Sequence, residues 1–374
     1  MGDLQGYTVV ALEQAVAAPY ASNLLAEAGA RVIKIEREEG DFSRNYDQAA
    51  KGESAYFVWL NRGKESLCLD IKNADDRLLL LNIVRQSDVL IQNLKPGAVA
   101  KLGLDYNELK KINPALVMCS ISGYGEDGAY AKMKAYDLLV QAESGLCSVT
   151  GKGSESARVG VSICDIATGL TAYSAILRAL LARVKTGRGV HIELSLFGVM
   201  TDWMNVPLLH QAYAGNAPKR MGISHPGIAP YGAFSCGDGK QVVLSIQNER
   251  EWLAFCEGVL GKVELSSEPQ FNSNVNRVAN RELLEETINA VFSTLSQEQL
   301  QHRLDASGIA YGRLNNLEDV LCHPQLKTVT VASPSGPINM VTHGASFDGQ
   351  AAPGLDVPSL GQHTAALQAE FSNG

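Results

Sequence analysis

Short apolar runs and longer amphipathic stretches take turns along the first part of the chain. TVVALE (8–13) is a compact apolar run and RVIKIE (31–36) alternates; between them PYASNLLAEAGA (19–30) carries Pro19 near its start and Gly29 near its end, the signature of a helix. Strand, helix, strand with a crossover of this length predicts a βαβ unit and a parallel sheet. The pattern repeats through SLCLDI (66–71), a charged helix from Asn73 to Gln86, DVLIQN (88–93), a short helix before Leu104 and ALVMCSISGYG (115–125). Residues 1–205 therefore read as an α/β domain with a Rossmann-like, doubly wound parallel sheet.

The texture changes at Ala229. APYGAF (229–234) and KQVVLSIQ (240–247) read as paired strands, followed by helices near Glu249–Leu260, Arg281–Leu295 and Gln297–Ala306. Residues 206–330 are taken as a linker and a smaller α+β domain. Two strands, TVTVAS (328–333) and PINMV (337–341), precede a last helix from His363 to Phe371, and residues 331–374 are expected to return to the first domain.

Composition narrows the function. Apolar residues make up 45% and charged ones 19%, which excludes a disordered or fibrous chain. A net charge of −8 without a run of Lys or Arg argues against nucleic acid or an anionic membrane as partner. The seven cysteines are scattered with no Cys-x-x-Cys pair, and the opening MGDLQGYTVV lacks the features of a secretory signal; both fit a reduced, cytoplasmic setting. The most apolar stretch, Ile166–Val184, contains Arg178 and Arg183 and is not read as a membrane span. The seven histidines include no His-x-x-x-His pair, so no metal site is expected.

A dinucleotide site needs Gly-x-Gly-x-x-Gly in the first loop and an acid about 20 residues on. Glu36 supplies the acid, but the loop is EQAVAAP (13–19), without glycine, and the fingerprint fails. Ala15, Ala17 and Ala18 suit either close ligand approach or tight packing of helix on strand. VGVSICDIATG (159–169) runs into an amphipathic helix closed by KTGRG, and Asp165 is placed where strand becomes helix. As an N-cap it would accept backbone N–H groups; facing a ligand crevice, the same carboxylate is a nucleophile toward an activated acyl group. Asp137, at the head of DLLVQAESGL, admits the same two readings, as cap or as a second carboxylate that handles protons or orients the first. Arg37, Lys72, Lys95, Lys101 and Lys134 each follow a strand end, either as solvated charges or as an electropositive rim for phosphates.

These segments together resemble the family III CoA-transferases, the group of formyl-CoA and carnitine CoA-transferases and the related α-methylacyl-CoA racemases. The likeness runs through EQAVAAP and GARVIKIER, NRGKESLCLDIK, QNLKPGAVAKLGLDY, SISGYGEDG, KAYDLLVQAESGL, the Asp165 segment, HPGIAPYGAF (225–234), GIAYGRLNNLEDVLCHPQL and PSLGQHT. It implies a large CoA-binding domain and a ring-like chain interlocked with a second copy as a homodimer. It makes Asp165 the nucleophile, acylated by an acyl-CoA and then carrying CoA as an aspartyl thioester. Coenzyme A contacts are implied at Val16, Ala17, Arg37, Leu69, Lys72, Asn93, Leu94, Lys101 and Lys134, with no permanently bound cofactor. Asp137, Tyr136 and His225 are implied as supporting residues, His225 within the MGISHPGIAPYG segment that replaces the glycine-rich lid of the oxalate-using enzymes.

Two expectations follow. The racemase branch has a His before the acid at position 137, and this chain has Tyr136, a poor base for an α-proton at neutral pH. That departure favours CoA transfer over the alternative, 2-methylacyl-CoA racemisation. The substrates are expected to be succinyl-CoA and a four- or five-carbon dicarboxylate such as itaconate, mesaconate or malate, with Arg44 or Arg220 as candidate partners of its second carboxylate.

Overall fold

Six strands, β1 (Thr8–Leu12), β2 (Arg31–Glu36), β3 (Lys64–Cys68), β4 (Val89–Gln92), β5 (Val117–Ser122) and β6 (His191–Ser195), form one parallel sheet in the order β3-β2-β1-β4-β5-β6. The structure, a computed structural model, describes residues 2–351 and 353–372. The sheet is doubly wound, and its order reverses between β1 and β4, where Val9 lies opposite both Val32 and Val89. β6 went unread in the sequence: as the edge strand it is only half-buried, and His191 and Glu193 interrupt its apolar pattern.

Alternate residues of the strands serve opposite faces. Val9, Ala11, Val32, Ile91 and Ile121 join a core with α1 (Ala17–Glu27) and a long helix ahead of β6, whereas Val10, Ile33, Leu67 and Leu90 join a second core. α2 (Ala55–Asn61) starts on a Ser54 cap. α3 (Ala74–Arg85) starts on Asn73, whose side chain accepts the N–H groups of Asp75 and Asp76, and covers the second face through Leu79, Leu80 and Ile83. α4 (Asp137–Glu143) leads to α5 (Ile163–Thr186), which ends on Gly187 in the left-handed conformation. α6 (Leu196–Trp203) follows β6 directly, capped by Ser195. α5 lies close against α1: a Cβ on Gly169 would stand 2.8 Å from the Ala17 carbonyl oxygen.

The C-terminal helix (Thr364–Phe371) covers the other edge of the sheet. Being an edge strand, β3 leaves N–H groups unpaired, and His363 Nδ1 accepts that of Ser66 at 3.1 Å while Thr364 Oγ1 accepts that of Cys68 at 3.0 Å. Leu367 and Phe371 complete the second core, and Arg31 reaches both Glu65 and Glu370.

The chain divides into two compact units. The one just described takes the chain through Leu146, Arg158–Val206 and everything from Lys327; the other takes Cys147–Ala157 and Pro207–Leu326. Residues 147–157, read in the sequence with the first domain, bond to the second: Gly222 N–H donates to the Gly151 carbonyl at 2.7 Å and Gly153 N–H to that of Arg220 at 3.1 Å. The second unit is α+β, an antiparallel sheet of β7 (Tyr231–Ser235), β8 (Gln241–Ser245) and β9 (Tyr311–Arg313) with helices α7 (Glu249–Ala254), α8 (Arg281–Phe292) and α9 (Gln297–Ala306) around Trp252, Phe255, Phe271 and Phe292.

Candidate active site

The sheet's switch point opens into a cavity of about 870 Å³, large enough for a cofactor-sized ligand. Its walls are the loops at the carboxyl ends of β1 (Gln14–Ala17), β4 (Asn93–Pro96) and β5 (Ser122 and Gly123), together with 132–138, Ser162 and Asp165. A second cavity of about 650 Å³ adjoins it, sharing Gln14 and Leu94 and running past the ends of β2 and β3.

Asp165 lies in the first turn of α5, its third residue, and residues 157–162 leading into the helix are not strand. The expected strand-to-helix junction is therefore corrected, and so is the reading of Asp165 as the cap. The capping carboxylate is Asp137, from α4: its Oδ1 accepts the N–H groups of Cys164 at 2.8 Å and Asp165 at 3.2 Å. Asp137 Oδ2 accepts from Gln141 Nε2 at 2.6 Å, and Gln141 Oε1 in turn accepts the Val159 N–H at 2.8 Å, so one buried amide ties the cap to the segment entering α5. With its backbone fixed by Asp137, the Asp165 side chain is left to the cavity. Burial, and after it the like charge of Asp137, push its carboxyl up to about 7.

Aromatic residues that the sequence gave no reason to single out form another wall. Phe42 packs on Tyr46 with ring centroids 5.6 Å apart, Tyr46 meets Tyr56 edge to face, and Tyr56 Oη lies 3.4 Å from Ser162 Oγ. Burial, then Asp41 and Asp165, push the Tyr46 phenol up to about 12, so it stays a hydrogen-bond donor at neutral pH. The spacing of Phe42 and Tyr46 was visible, but only their place beside the sheet edge gives it meaning. Lys132 and Arg158 also line the cavity and were not anticipated.

Beneath the first loop sits a buried ion cluster. Glu13 Oε1 accepts from Lys64 Nζ at 2.6 Å and Lys34 Nζ at 3.3 Å, Lys34 Nζ also donates to Asp41 Oδ2 at 2.8 Å, and all three of Glu13, Lys34 and Lys64 have fully buried side chains. Burial pushes the Glu13 carboxyl up, but Lys64 and Lys34 outweigh it and hold it below its ordinary value. Asp41 Oδ1 accepts the Ala15 N–H at 3.2 Å, and Ala15 takes φ 66°, a left-handed backbone that a non-glycine residue adopts only when its surroundings impose it. Asn93 clamps the same loop, its amide bonding both N–H and carbonyl of Gln14 at 2.9 and 2.8 Å. No side chain caps α1 at Val16, so the helix opens its first N–H groups where Val16 and Ala17 line the cavity.

All nine residues expected to touch coenzyme A line one of the two cavities. Val16, Ala17, Asn93, Lys101 and Lys134 line the first, Arg37, Leu69 and Lys72 the second, and Leu94 both. Tyr136 lines the first, two-thirds exposed at 65%. His225 belongs to the second unit, stacked on Tyr231 with its Nδ1 accepting the Gly227 N–H at 3.1 Å, and the Asp165 cavity as described is lined by the first unit. The two candidate arginines are corrected: Arg44 is bidentate to Glu36 at 2.8 and 2.9 Å over the Phe57 ring, and Arg220 donates to the carbonyls of Ser148, Gly153 and Ser154. Glu36, the acid of the nucleotide test, is held by Arg44, Ser66 and the Asp41 N–H.

A doubly wound parallel sheet with a carboxylate of raised proton affinity at its switch point, beside a cation-lined crevice, is the arrangement of an α/β ligand-binding site with a candidate catalytic carboxylate. The comparisons make that class particular. The sequence profile of CoA-transferase family III matches residues 4–364, and the chain belongs to that family as a CoA-transferase. It is 35% identical over 99% of its length to acetyl-CoA:oxalate CoA-transferase of Acetobacter aceti, covering 96% of that protein. It is 32% identical over 98% of its length to succinate–glutarate CoA-transferase of Agrobacterium fabrum, covering 95% of that one. Among solved structures, a CAIB/BAIF family protein from Brucella suis superposes with a TM-score of 0.85 at 34% identity, over 98% of this chain and 99% of the other.

Proposed function

We propose that this protein moves coenzyme A from an acyl-CoA, succinyl-CoA in the first instance, to a four- or five-carbon dicarboxylate such as itaconate, mesaconate or malate, with Asp165 as covalent nucleophile. The observation that carries the reading is the Asp165 carboxylate itself, open to the cavity, with its backbone secured and no cation among the causes that set its proton affinity. Such a group is weakly solvated and basic for a carboxylate, which is what attack on a thioester needs.

The ionised Asp165 oxygen adds to the thioester carbonyl and expels coenzyme A as thiolate, leaving a mixed anhydride. The thiolate then attacks the Asp165 acyl carbon, releasing the donor acid and leaving an aspartyl-CoA thioester. An acceptor carboxylate attacks that thioester, forms a new anhydride and again frees the thiolate, which attacks the acceptor carbonyl and returns Asp165 as carboxylate. No net proton is consumed, and the acyl group stays activated while water is kept out. The N–H groups at the start of α1 and the Tyr46 phenol suit the oxyanions of these steps. Oxalate and glutarate, named for the two relatives above, are both dicarboxylates, which supports a dicarboxylate here.

The same reading takes the enzyme as an interlinked, cytoplasmic homodimer, with the exposed Leu181, Val184 and Trp203 supporting a protein partner. Sedimentation equilibrium yielding a monomer would remove that part. The test of function is incubation with succinyl-CoA and a panel of carboxylic acids, with new CoA thioesters read by mass spectrometry. Transfer to dicarboxylates supports the proposal, and absence of any new thioester defeats it.

A further inference from the structure

Positive charge enters the Asp165 cavity from three directions. Lys95 and Lys101 follow β4, on the side where the two cavities meet, and Lys132 and Lys134 precede α4. Arg158 stands apart, on the segment that runs into α5 and the nucleophile. Its backbone is joined to Asp165 by a continuous series of hydrogen bonds: Val159 N–H to Gln141 at 2.8 Å, Gln141 to Asp137 at 2.6 Å, and Asp137 to the N–H groups of Cys164 and Asp165 at 2.8 and 3.2 Å. Gln141, the middle link, is fully buried, so the frame is set by packing as well as by its bonds.

The guanidinium is itself steadied. Nε donates to the Val159 carbonyl at 3.0 Å and Nη2 to that of Gly160 at 3.2 Å, while Nη1 has no partner among the described residues. A planar cation that stays charged at every working pH, exposed to the cavity from the segment that enters α5 and apart from the lysines on the side where the two cavities meet, is placed to receive a carboxylate at the far end of a short acid. The other candidate arginines are not available: Arg44 is committed to Glu36 and Arg220 to three carbonyls.

We propose that Arg158 is a specificity-determining residue that receives the remote carboxylate of a dicarboxylate acceptor. The near carboxylate is thereby directed at the aspartyl-CoA carbonyl of Asp165; its oxygen forms the new C–O bond as the C–S bond breaks and coenzyme A leaves as thiolate. The inference rests on the CoA-transfer reading of the cavity, and its test separates the two.

Native protein, Arg158→Met and Arg158→Lys are assayed with succinyl-CoA as the one donor and, as acceptors, glutarate and mesaconate, each against its own monoamide, whose remote end is neutral. With a shared donor the ratio of kcat/KM for diacid over monoamide reports the acceptor step alone. Native protein prefers the diacid; in Arg158→Met that ratio falls about tenfold or more, chiefly through KM, and in Arg158→Lys it falls less. A general structural role would lower both acceptors together and leave the ratio where it was. An Arg158→Met ratio within about twofold of native, with transfer intact, overturns the inference and spares the CoA-transferase reading, as does a native protein indifferent to the amide. No transfer by native protein to any of the acids overturns both.

Discussion

Two groups of buried charge lie near the same sheet edge and are built on opposite terms. Under the first loop, Glu13 and Asp41 are interleaved with Lys34 and Lys64, and the cations more than offset the effect of burial on Glu13. At the head of α5, Asp165 faces Asp137 with no cation to offset either burial or repulsion, and its proton affinity rises instead. The paired cluster spends its charges on shape, holding Ala15 in a left-handed backbone so that the loop fits the cavity wall. The acidic pair leaves one charge unspent, and an uncompensated charge at a cavity is where chemistry is to be expected.

The contrast can be broken most sharply at its two centres. Asp165→Ala is expected to fold and bind succinyl-CoA yet lose transfer by about a thousandfold or more, because the covalent route is closed; steady-state turnover by mass spectrometry checks this. Glu13→Gln should do the reverse. It strips the counter-charge from two buried ammonium groups and is expected to cost about 3–5 kcal/mol in chemical denaturation. Turnover, corrected for the folded fraction, should be far less affected than in Asp165→Ala.

Smaller effects sharpen the same difference through pH. Asp165 holds its proton up to about 7 when folded and releases it near its ordinary value of 3.8 when unfolded. Between those values the native state binds more protons, so this group favours folding at low pH and the contribution is lost as pH rises through about 7. Asp165→Asn should therefore stabilise the protein above that pH, by about 2 kcal/mol, and change little near pH 4, in thermal or denaturant melts. Asp137→Asn keeps an oxygen for the cap but removes the like charge. The acid limb of kcat/KM, expected near 7 in native protein, should move to lower pH; an unmoved limb would show that burial alone sets it.

How much of this could be read beforehand depended on how local the signal was. The central strands β1, β4 and β5 stood out because a strand buried on both faces is nearly all apolar, as in VLIQ and VMCSIS, whereas of the two edge strands β3 was read as 66–71 in place of Lys64–Cys68 and His191–Ser195, with its polar pattern, was missed. Asp165 was legible as a carboxylate near a helix start, but its cap was not, since Asp137 comes from a different helix and the bond spans 27 or 28 residues. Arg44 and Arg220 looked free in one dimension and are bound in three, to Glu36 and to backbone carbonyls. The cavity-lining cations were easier, because a residue just past a parallel strand lands at the ligand edge whatever else the chain does.

The central claim, that Asp165 itself carries the transferred group, is tested most directly with an acceptor dicarboxylate labelled with heavy oxygen in both carboxylates. If the acid passes through an anhydride with Asp165, the bond that closes the cycle leaves one heavy oxygen on the enzyme, and peptide mass spectrometry after turnover finds it in the side chain of Asp165. Formation of the new CoA thioester with no label ever entering that residue would contradict the account.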